Sequence, residues 1–258
     1  MRKIIFVMVI TFMAAASVFA QGIKPDFKYV KGGTFSMGST SGLSGERPVH
    51  SVTVSSFYMC DHEVTQKEYR DVTGYSPSYF SGDNRPVEQV NWFDAIEYCN
   101  ALSWKEGLEP CYLINGSNVT FAFWANGYRL PTEAEWEFAA RGGNNSNGYT
   151  YSGSDSLENV AWYGNPNDET HNIKEKKPNE LGLYDMSGNV YEWCWDYCGD
   201  YTSSSQTNPI GPSTGMYRII RGGNWRGEAD GCRVANRTIV NPARTFNNIG
   251  FRVVRSAL

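Results

Sequence analysis

The sequence predicts an α+β fold, in which a few helices and many short strands are joined by long loops. Three observations support this class. Helical spacing of apolar residues is confined to a few segments, the strand-like runs are short, and stretches rich in Gly, Asn, Ser and Pro separate them. With 258 residues, 41% of them hydrophobic, the chain is long enough to bury one large core. Because neither a repeat nor a linker divides it, we expect one domain over residues 21–258.

The first 20 residues have the three parts of a secretory signal peptide, which we assign to residues 1–20. Arg2 and Lys3 supply the positive charge, residues 4–16 form the apolar run, and Val18-Phe19-Ala20 provides the cleavage site. The run is shorter than a membrane-spanning helix, and no second apolar span follows. We therefore expect export to the periplasm, the cell surface or the medium, and no transmembrane segment.

Three segments carry helix signals. Thr65 caps the first, with Glu68 as its capping-box partner and Gly74 as its end. The second runs from Trp92 to about Lys105, with its apolar residues on one face. A third follows Thr132, which again has a glutamate three residues on.

Strand signals lie on either side of these helices. Residues 27–37 are typical of two strands joined by a Gly-Gly turn, and residues 50–57 alternate through Val52 and Val54. The chain has a net charge of −4 without a basic block, so we expect no nucleic-acid partner. Its three histidines stand in no hydrolase motif.

The C-terminal stretch 216–254 is the most informative part of the sequence. Apolar strands over 217–221 and 250–254 bracket a segment with almost no apolar periodicity, in which Trp225 is a plausible anchor. Long irregular segments in compact domains are usually functional or disordered, and binding groups concentrate on loops held by a rigid scaffold. We interpret it as an ordered loop that displays side chains; the alternative is a purely structural crossover.

Several motifs together resemble the formylglycine-generating enzyme (sulfatase-modifying factor) family over nearly the whole mature chain. They are GGTFSMGS, HEVTQKEY, PVEQVNWFDAIEYC, YRLPTEAEWEFAARGG, NELGLYDMSGNVYEW, RGGNW and NIGFRVV. The resemblance implies a C-type lectin-like fold of this subclass, irregular with long loops and short strands. The enzymes of the family bind copper through a cysteine pair after the Gly-Gly turn. Here only Cys232 follows that turn. One local thiol cannot form a two-thiol copper site, so we expect neither copper nor formylglycine-generating activity. The alternative is an enzyme of this family with altered chemistry.

The sequence also resembles the variable proteins of diversity-generating retroelements, which share this scaffold and bind ligands. In them, a C-terminal segment is diversified at adenines of a template. Asparagine-rich spacing around fixed residues, as in residues 236–252, is similar to that pattern. The resemblance implies an unknown ligand, a protein or another surface molecule, bound by residues 221–248, which we call the variable region. The alternative is an ordinary asparagine-rich loop of the family.

Adenine-directed change of an Asn codon ending in C never yields Trp or Glu. This rule, which the resemblance implies, divides the variable region into positions that can vary and positions that are fixed. Trp225, Glu228, Cys232 and residues 233–237 are then fixed. The residues predicted to vary and to bind ligand are Arg226, Gly227, Asp230, Gly231, Thr238, Ile239, Val240, Ala243, Thr245 and Phe246. Because side chains alternate along an extended chain, residues 238–240 cannot all point inward, and we expect a partly apolar patch.

The resemblance further implies a structural calcium ion. Asp185, Gly188, Val190 and Glu192 match calcium-binding positions of the enzyme family, two through carboxylates and two through backbone carbonyls. Hard oxygen ligands in an irregular loop suit this ion. In the alternative, Asp185 caps a structural turn and Glu192 pairs with an arginine.

Overall fold

The computed structural model describes residues 26–164 and 169–257, and the predicted mixture of helices and short strands is confirmed there. The predicted signal peptide lies outside the described residues. The helices are α1 (Gln66–Thr73), α2 (Trp92–Lys105) and α3 (Glu133–Ala140). The strands are β1 (Phe27–Val30), β2 (Gly33–Met37), β3 (His50–Val54), β4 (Phe57–Cys60), β5 (Tyr112–Asn115), β6 (Asn118–Phe121), β7 (Tyr128–Arg129), β8 (Tyr191–Tyr197), β9 (Gln206–Thr207), β10 (Arg218–Arg221), β11 (Thr238–Val240), β12 (Ile249–Gly250) and β13 (Val254–Ser256).

The helices begin at the predicted caps. Thr65 accepts a hydrogen bond from the backbone N–H of Glu68, whose side chain bonds back to the cap, and Thr132 and Glu135 repeat this capping box. Gly74 ends α1 in the left-handed conformation, with φ of 79°. These hydrogen bonds join residues only three positions apart, so local sequence determines where two helices start.

Two four-stranded sheets build the domain, one with the order β1-β4-β13-β7 and the other β11-β10-β8-β12. A three-stranded sheet β2-β3-β9 and the hairpin β5-β6 complete the strands. Helix α3 is almost entirely buried and packs against strands of two of these sheets. Most core residues lie in two large clusters, in which buried tryptophans from α2, α3 and β8 fill the centre.

The single strand expected over residues 250–254 is wrong. The chain forms β12 and β13 instead, and these belong to different sheets. Between them Arg252 is fully buried and pairs with Glu192 at 2.7 Å. The chain thus leaves one sheet and enters the other on either side of this arginine.

The variable region is more ordered than its lack of periodicity indicated. It contains β11, which pairs antiparallel with β10, and a 3-10 turn over Ala229–Cys232. Strand β11 has only three residues, so its alternation is too short to recognise from sequence. Across the described residues, 26–164 and 169–257, we find no helix that combines the length and the apolar character needed to cross a membrane.

Candidate functional site

The variable region begins at the turn Gly222-Gly223, where both residues have positive φ, of 100° and 80°. A Cβ atom on Gly223 would lie 2.5 Å from the sulfur of Cys232, so only glycine fits there. The turn therefore packs the backbone directly against Cys232, at the start of the segment 232–237. This close approach fixes the direction in which the following loop leaves the sheet.

Trp225 anchors the loop, as its position in the sequence suggested. Its backbone N–H donates to the carbonyl of Asn189 at 2.8 Å, and its indole N–H donates to the carbonyl of Asn247 at 3.2 Å. The side chain is 4% exposed. One buried tryptophan thus joins the first and last parts of the variable region to the scaffold.

Most of the positions expected to be fixed are buried. Trp225, Cys232 and Val234 are almost inaccessible, and so are Ala235 and Asn236. Two half-buried arginines of the same segment bind carboxylates of the scaffold: Arg233 binds both oxygens of Glu46, and Arg237 both oxygens of Glu133. Glu228 differs from its neighbours because it is exposed. The fixed residues thus carry the packing of the region.

The ten positions expected to vary all reach the solvent. The exposed members are Arg226, Asp230, Ile239, Ala243, Thr245 and Phe246, and the half-buried members are Gly227, Gly231, Thr238 and Val240. Ile239 and Phe246 are 46% and 40% exposed. Val240 and Ile239 point in different directions, since Val240 packs against the core. The exposed apolar side chains among these positions are therefore Ile239 and Phe246, and Val240 contributes mainly to packing.

One group of these positions converges on Tyr191, a residue that the sequence reasoning missed. The phenol interacts with Thr238 and with Asn224, and burial raises its pKa. Its oxygen lies 3.3 Å from the place of a Cβ atom on Gly231. Asn224 in turn accepts from the backbone N–H of Arg226 at 3.2 Å. Tyr191 and Asn224 therefore lie beneath several of the positions expected to vary and support them. In the sequence, the only signals of this role are the place of Tyr191 in β8 and of Asn224 beside the Gly-Gly turn.

A second group lies along the segment that precedes α2. The carbonyl of Phe246 accepts from the N–H of Gln89 at 3.0 Å, and the carbonyl of Pro242 from that of Trp92 at 3.0 Å. These bonds hold Ala243, Thr245 and Phe246 in place through the backbone, leaving their side chains exposed. Asp230 belongs to neither group, because its carboxylate pairs with Arg233 at 2.5 Å.

An aromatic row from outside the variable region borders it. Phe80 meets Trp225 edge-on, with ring centroids 5.4 Å apart, and Tyr79 meets Phe80 edge-on at 4.9 Å. The guanidinium of Arg226 lies 5.7 Å from the Trp225 ring. Tyr79 is 70% exposed, so this row ends in an accessible tyrosine that lies outside the variable region in the sequence.

Three of the four predicted calcium positions lie in a loop of unusual backbone, with φ of 56° at Asp185 and 87° at Gly188, and the fourth, Glu192, lies in β8. Glu192 binds Arg252 through both oxygens and also accepts from the indole of Trp136 at 2.8 Å. This pairing with an arginine is the alternative to calcium binding that the sequence analysis gave for Glu192. Three donors already occupy its carboxylate, so Glu192 does not fit a calcium ligand in this arrangement.

Asp185 is different. Its Oδ2 accepts from the backbone N–H of Lys174 at 2.8 Å, but its buried Oδ1 has no hydrogen-bond partner among the described residues. Burial raises the pKa of Asp185 to about 6, and that of nearby Glu63 well above its usual value. A free, buried carboxylate oxygen suits a hard cation. Calcium at Asp185, Gly188, Val190 and Glu192 stays a prediction, which the free oxygen of Asp185 favours and the arginine pair of Glu192 opposes.

The thiol chemistry of the family's enzymes has no counterpart at this turn. Cys232 is fully buried, and burial raises its pKa to about 12. All six cysteines are free. A thiol of this kind behaves as a small apolar side chain rather than as a nucleophile or copper ligand.

The fold and this site define a class: a formylglycine-generating-enzyme-like scaffold that presents an exposed C-terminal surface. Comparison with known proteins agrees. The sulfatase-modifying factor enzyme 1-like domain matches residues 14–257, and the chain belongs to this family. It is 38% identical to "Chaperone protein LppX" of Paenibacillus barcinonensis, over 99% of this chain and all of that protein.

An enzyme and a solved structure are also similar. The chain is 35% identical to the formylglycine-generating enzyme of Streptomyces coelicolor over 67% of its own length, and spans 54% of that enzyme. Treponema denticola variable protein 1 superposes with a TM-score of 0.83 at 37% identity, over 89% of this chain and 94% of that protein. The family thus includes both enzymes and a variable protein.

Proposed function

We propose that this protein is an exported ligand-binding protein of the variable-protein type, with a C-type lectin-like scaffold and no formylglycine-generating activity. One observation carries the proposal: every position expected to vary is exposed or half-buried, whereas the positions expected to be fixed are, with the exception of Glu228, buried or paired with scaffold carboxylates. A surface of this kind can change its side chains without changing its fold. The likeness to the Treponema variable protein supports the same assignment.

The ligand is a protein or another surface molecule rather than a nucleic acid. The exposed side chains include apolar Ile239 and Phe246 and the cationic Arg226, and Tyr79 is exposed at the end of the aromatic row that meets Trp225. Tyrosine and arginine are enriched at the energetic centres of protein interfaces. The name of the Paenibacillus relative, a chaperone protein, is compatible with a protein ligand.

A genetic observation tests the diversification directly. A near-copy of the C-terminal coding segment, differing only at adenines and lying beside a reverse-transcriptase gene, would support the proposal. Sequences from related isolates should then differ at the codons of the ten positions expected to vary and agree at the codons of Trp225 and Cys232. Changes spread evenly over the segment would indicate instead that the protein is an ordinary ligand-binding member of the family.

The capacity for display is tested with two libraries on phage. One randomises the exposed positions Arg226, Ile239, Ala243, Thr245 and Phe246, and the matched control randomises buried positions in the same segment: Val234, Ala235, Asn236 and Ile249. Both are panned against a single probe, hen lysozyme. We expect folded binders from the first library and few folded members in the second. Equal yields of folded protein would contradict the division of the region.

The alternative, an enzyme of this family with altered chemistry, rests on the likeness to the Streptomyces enzyme. It is tested by incubating the protein with copper, oxygen and a sulfatase-motif peptide, and by searching for an aldehyde by mass spectrometry. We expect no aldehyde, because Cys232 is a buried thiol without a local partner. Aldehyde formation at a rate above that of a heat-denatured control would refute the ligand-binding assignment.

A further inference from the structure

A cavity of about 310 Å³ lies between the end of β8, the start of α3 and the segment 199–212, and none of the ten positions expected to vary lines it. Ligand pockets usually measure about 300–1,000 Å³ and combine apolar walls with a few polar groups. Met37 and Ile210 supply apolar wall here. Asp200 and Pro212, also in the wall, are exposed, so the cavity opens to solvent on that side.

Asp196 brings a buried carboxylate to this cavity. It is 4% exposed, and its Oδ2 accepts from the backbone N–H of Glu133 at 2.8 Å. Its Oδ1 makes no hydrogen bond to the residues that the structure describes. Gly211, with φ of 72°, leaves this oxygen open, since a Cβ atom there would lie 3.2 Å from Oδ1. A buried acceptor without a partner is costly, which favours a ligand that donates a hydrogen bond to it.

The charges in the wall favour a cationic donor. The guanidinium of Arg237 is held by both oxygens of Glu133, and His50 donates through Nδ1 to a backbone carbonyl at 3.1 Å. Asp196 and Asp200 have no basic partner among residues 26–164 and 169–257. Two carboxyl groups therefore face the cavity without compensation, while its guanidinium is already paired.

The electrostatic surroundings of Asp196 agree with this. Burial raises the pKa of Asp196 to about 8, Glu133 and Glu135 add to the rise, and Arg218 opposes it. Negative charge on this carboxyl is unfavourable until a positive group comes near.

We propose that the cavity binds an ammonium or guanidinium group, whose N–H donates to Oδ1 of Asp196. A hydrogen bond between a charged donor and a carboxylate is about twice as strong as one between neutral groups. This site is separate from the variable surface, and its occupant need not be the ligand of that surface.

Butylguanidinium and butylammonium test the proposal, with neutral butanol and anionic butyrate as controls. Each is titrated into the purified protein and followed by saturation-transfer NMR. We expect both cations to bind at least about tenfold more tightly than butanol, and butyrate not to bind. Absence of binding by both cations, or an equal affinity for butanol, would overturn the assignment.

A blocked Gly-Arg-Gly peptide separates two sources of the cationic group. Tighter binding of the peptide than of butylguanidinium indicates a side chain of a protein partner. Tighter binding of butylguanidinium indicates a free small cation.

Three aspartate variants locate the site. Asp196→Asn keeps an acceptor for the N–H of Glu133 but places an NH₂ group where Oδ1 was, so it should weaken cation binding at least about tenfold. Asp155→Asn is the matched control, because its carboxylate also accepts from a backbone N–H at 2.8 Å but lies outside the cavity. It should bind like the parent, and Asp200→Asn should lie between the two. Circular dichroism and melting temperature confirm folding, and a folded Asp196→Asn with parental affinity would refute the proposal.

The pH dependence of binding in the parent needs no variant. Butylguanidinium stays charged from pH 6 to pH 9. Because it binds the ionised carboxylate, its affinity should rise about tenfold from pH 6 to pH 7 and level off above about pH 8. Asp196→Asn should flatten this profile, and His50→Gln, at the titratable ring of the wall, should preserve it. A flat profile in the parent would contradict the contact with Asp196.

Discussion

Two isoleucines in the C-terminal stretch provide a direct test of the exposed surface. Ile239 is 46% exposed on the short strand β11, whereas Ile249 is 3% exposed on β12. Both are changed to asparagine, so the chemical change is the same and only the surroundings differ. If the variable region displays Ile239, the first substitution should be tolerated and the second should not.

The magnitudes follow from burial. Full burial of an isoleucine side chain stabilises a fold by about 1.5–3 kcal/mol, so about half of that, roughly 1 kcal/mol, is lost at Ile239. At Ile249 the substitution lowers the free energy of unfolding by about 3–5 kcal/mol, because all of the buried apolar area is lost and an amide without hydrogen bonds is placed in the core. For a domain of this size each kcal/mol lowers the melting temperature by about 2–4 °C. We expect a fall of about 2–4 °C for Ile239→Asn and about 10 °C or more for Ile249→Asn.

Thermal unfolding followed by circular dichroism measures both values, with chemical denaturation as a check on reversibility. Ile219, which faces Ile239 across the strand pair and is fully buried, serves as a second control, because Ile219→Asn should behave like Ile249→Asn. Equal destabilisation by Ile239→Asn and Ile249→Asn would show that Ile239 is a core residue. The apolar part of the proposed binding surface would then be wrong.

Three further predictions concern the scaffold. Calcium at a hundred times its dissociation constant should stabilise the protein by about 2.7 kcal/mol and so raise its melting temperature by about 5–10 °C. Asp185→Asn should remove this effect. Equal melting temperatures in millimolar calcium and in chelator would exclude the ion. Burial, with a contribution from Glu133, raises the pKa of Asp196 from 3.8 to about 8, so its contribution to stability is present below about pH 4 and is lost as the pH rises through about 8. Asp196→Asn should therefore gain stability relative to the parent on going from pH 5 to pH 9, as measured by paired melting curves, and a pH-independent difference would contradict this. Arg252→Met should lower the free energy of unfolding by about 3–5 kcal/mol, measured with denaturant, because Glu192 is left buried and unpaired. The exposed control Arg226→Met should lower it by about 0.5 kcal/mol or less. Similar losses in the two variants would refute the importance of the buried pair.

Local signals predicted the elements that local interactions determine. The capping boxes at Thr65 and Thr132 mark helix starts because the bonding groups are only three residues apart. The same kind of box at Asn91, with Asp94, caps α2 and could have been read from the sequence. The hairpin β5-β6 was also within reach, since Asn115-Gly116 is a strong turn signal between two apolar runs.

Long-range pairing could not be predicted in this way. Strand β8 pairs in parallel with β12, some sixty residues later in the sequence, and β13 joins β4 and β7 in a different sheet. Arg221 and Glu137 form a fully buried ion pair across 84 residues. No periodicity connects such partners, because each depends on the complete fold. For the same reason the sequence does not predict the role of Tyr191 beneath the variable region, although it predicts Thr238 and Gly231, which Tyr191 approaches.

The arrangement of bonds explains how one scaffold could accept many side chains in the variable region. The loop is held mainly through groups that substitution at the exposed positions does not remove: the indole of Trp225, the side chain of Asn224, and backbone carbonyls that accept from Gln89 and Trp92. Buried arginine–carboxylate pairs beneath it fix the sheet from which it leaves. Because an exposed side chain makes few contacts that the fold needs, its replacement typically changes stability by about 0.5 kcal/mol or less. Stability is thereby carried mainly by residues other than the exposed ones, which is the physical condition for a surface that changes while its fold does not.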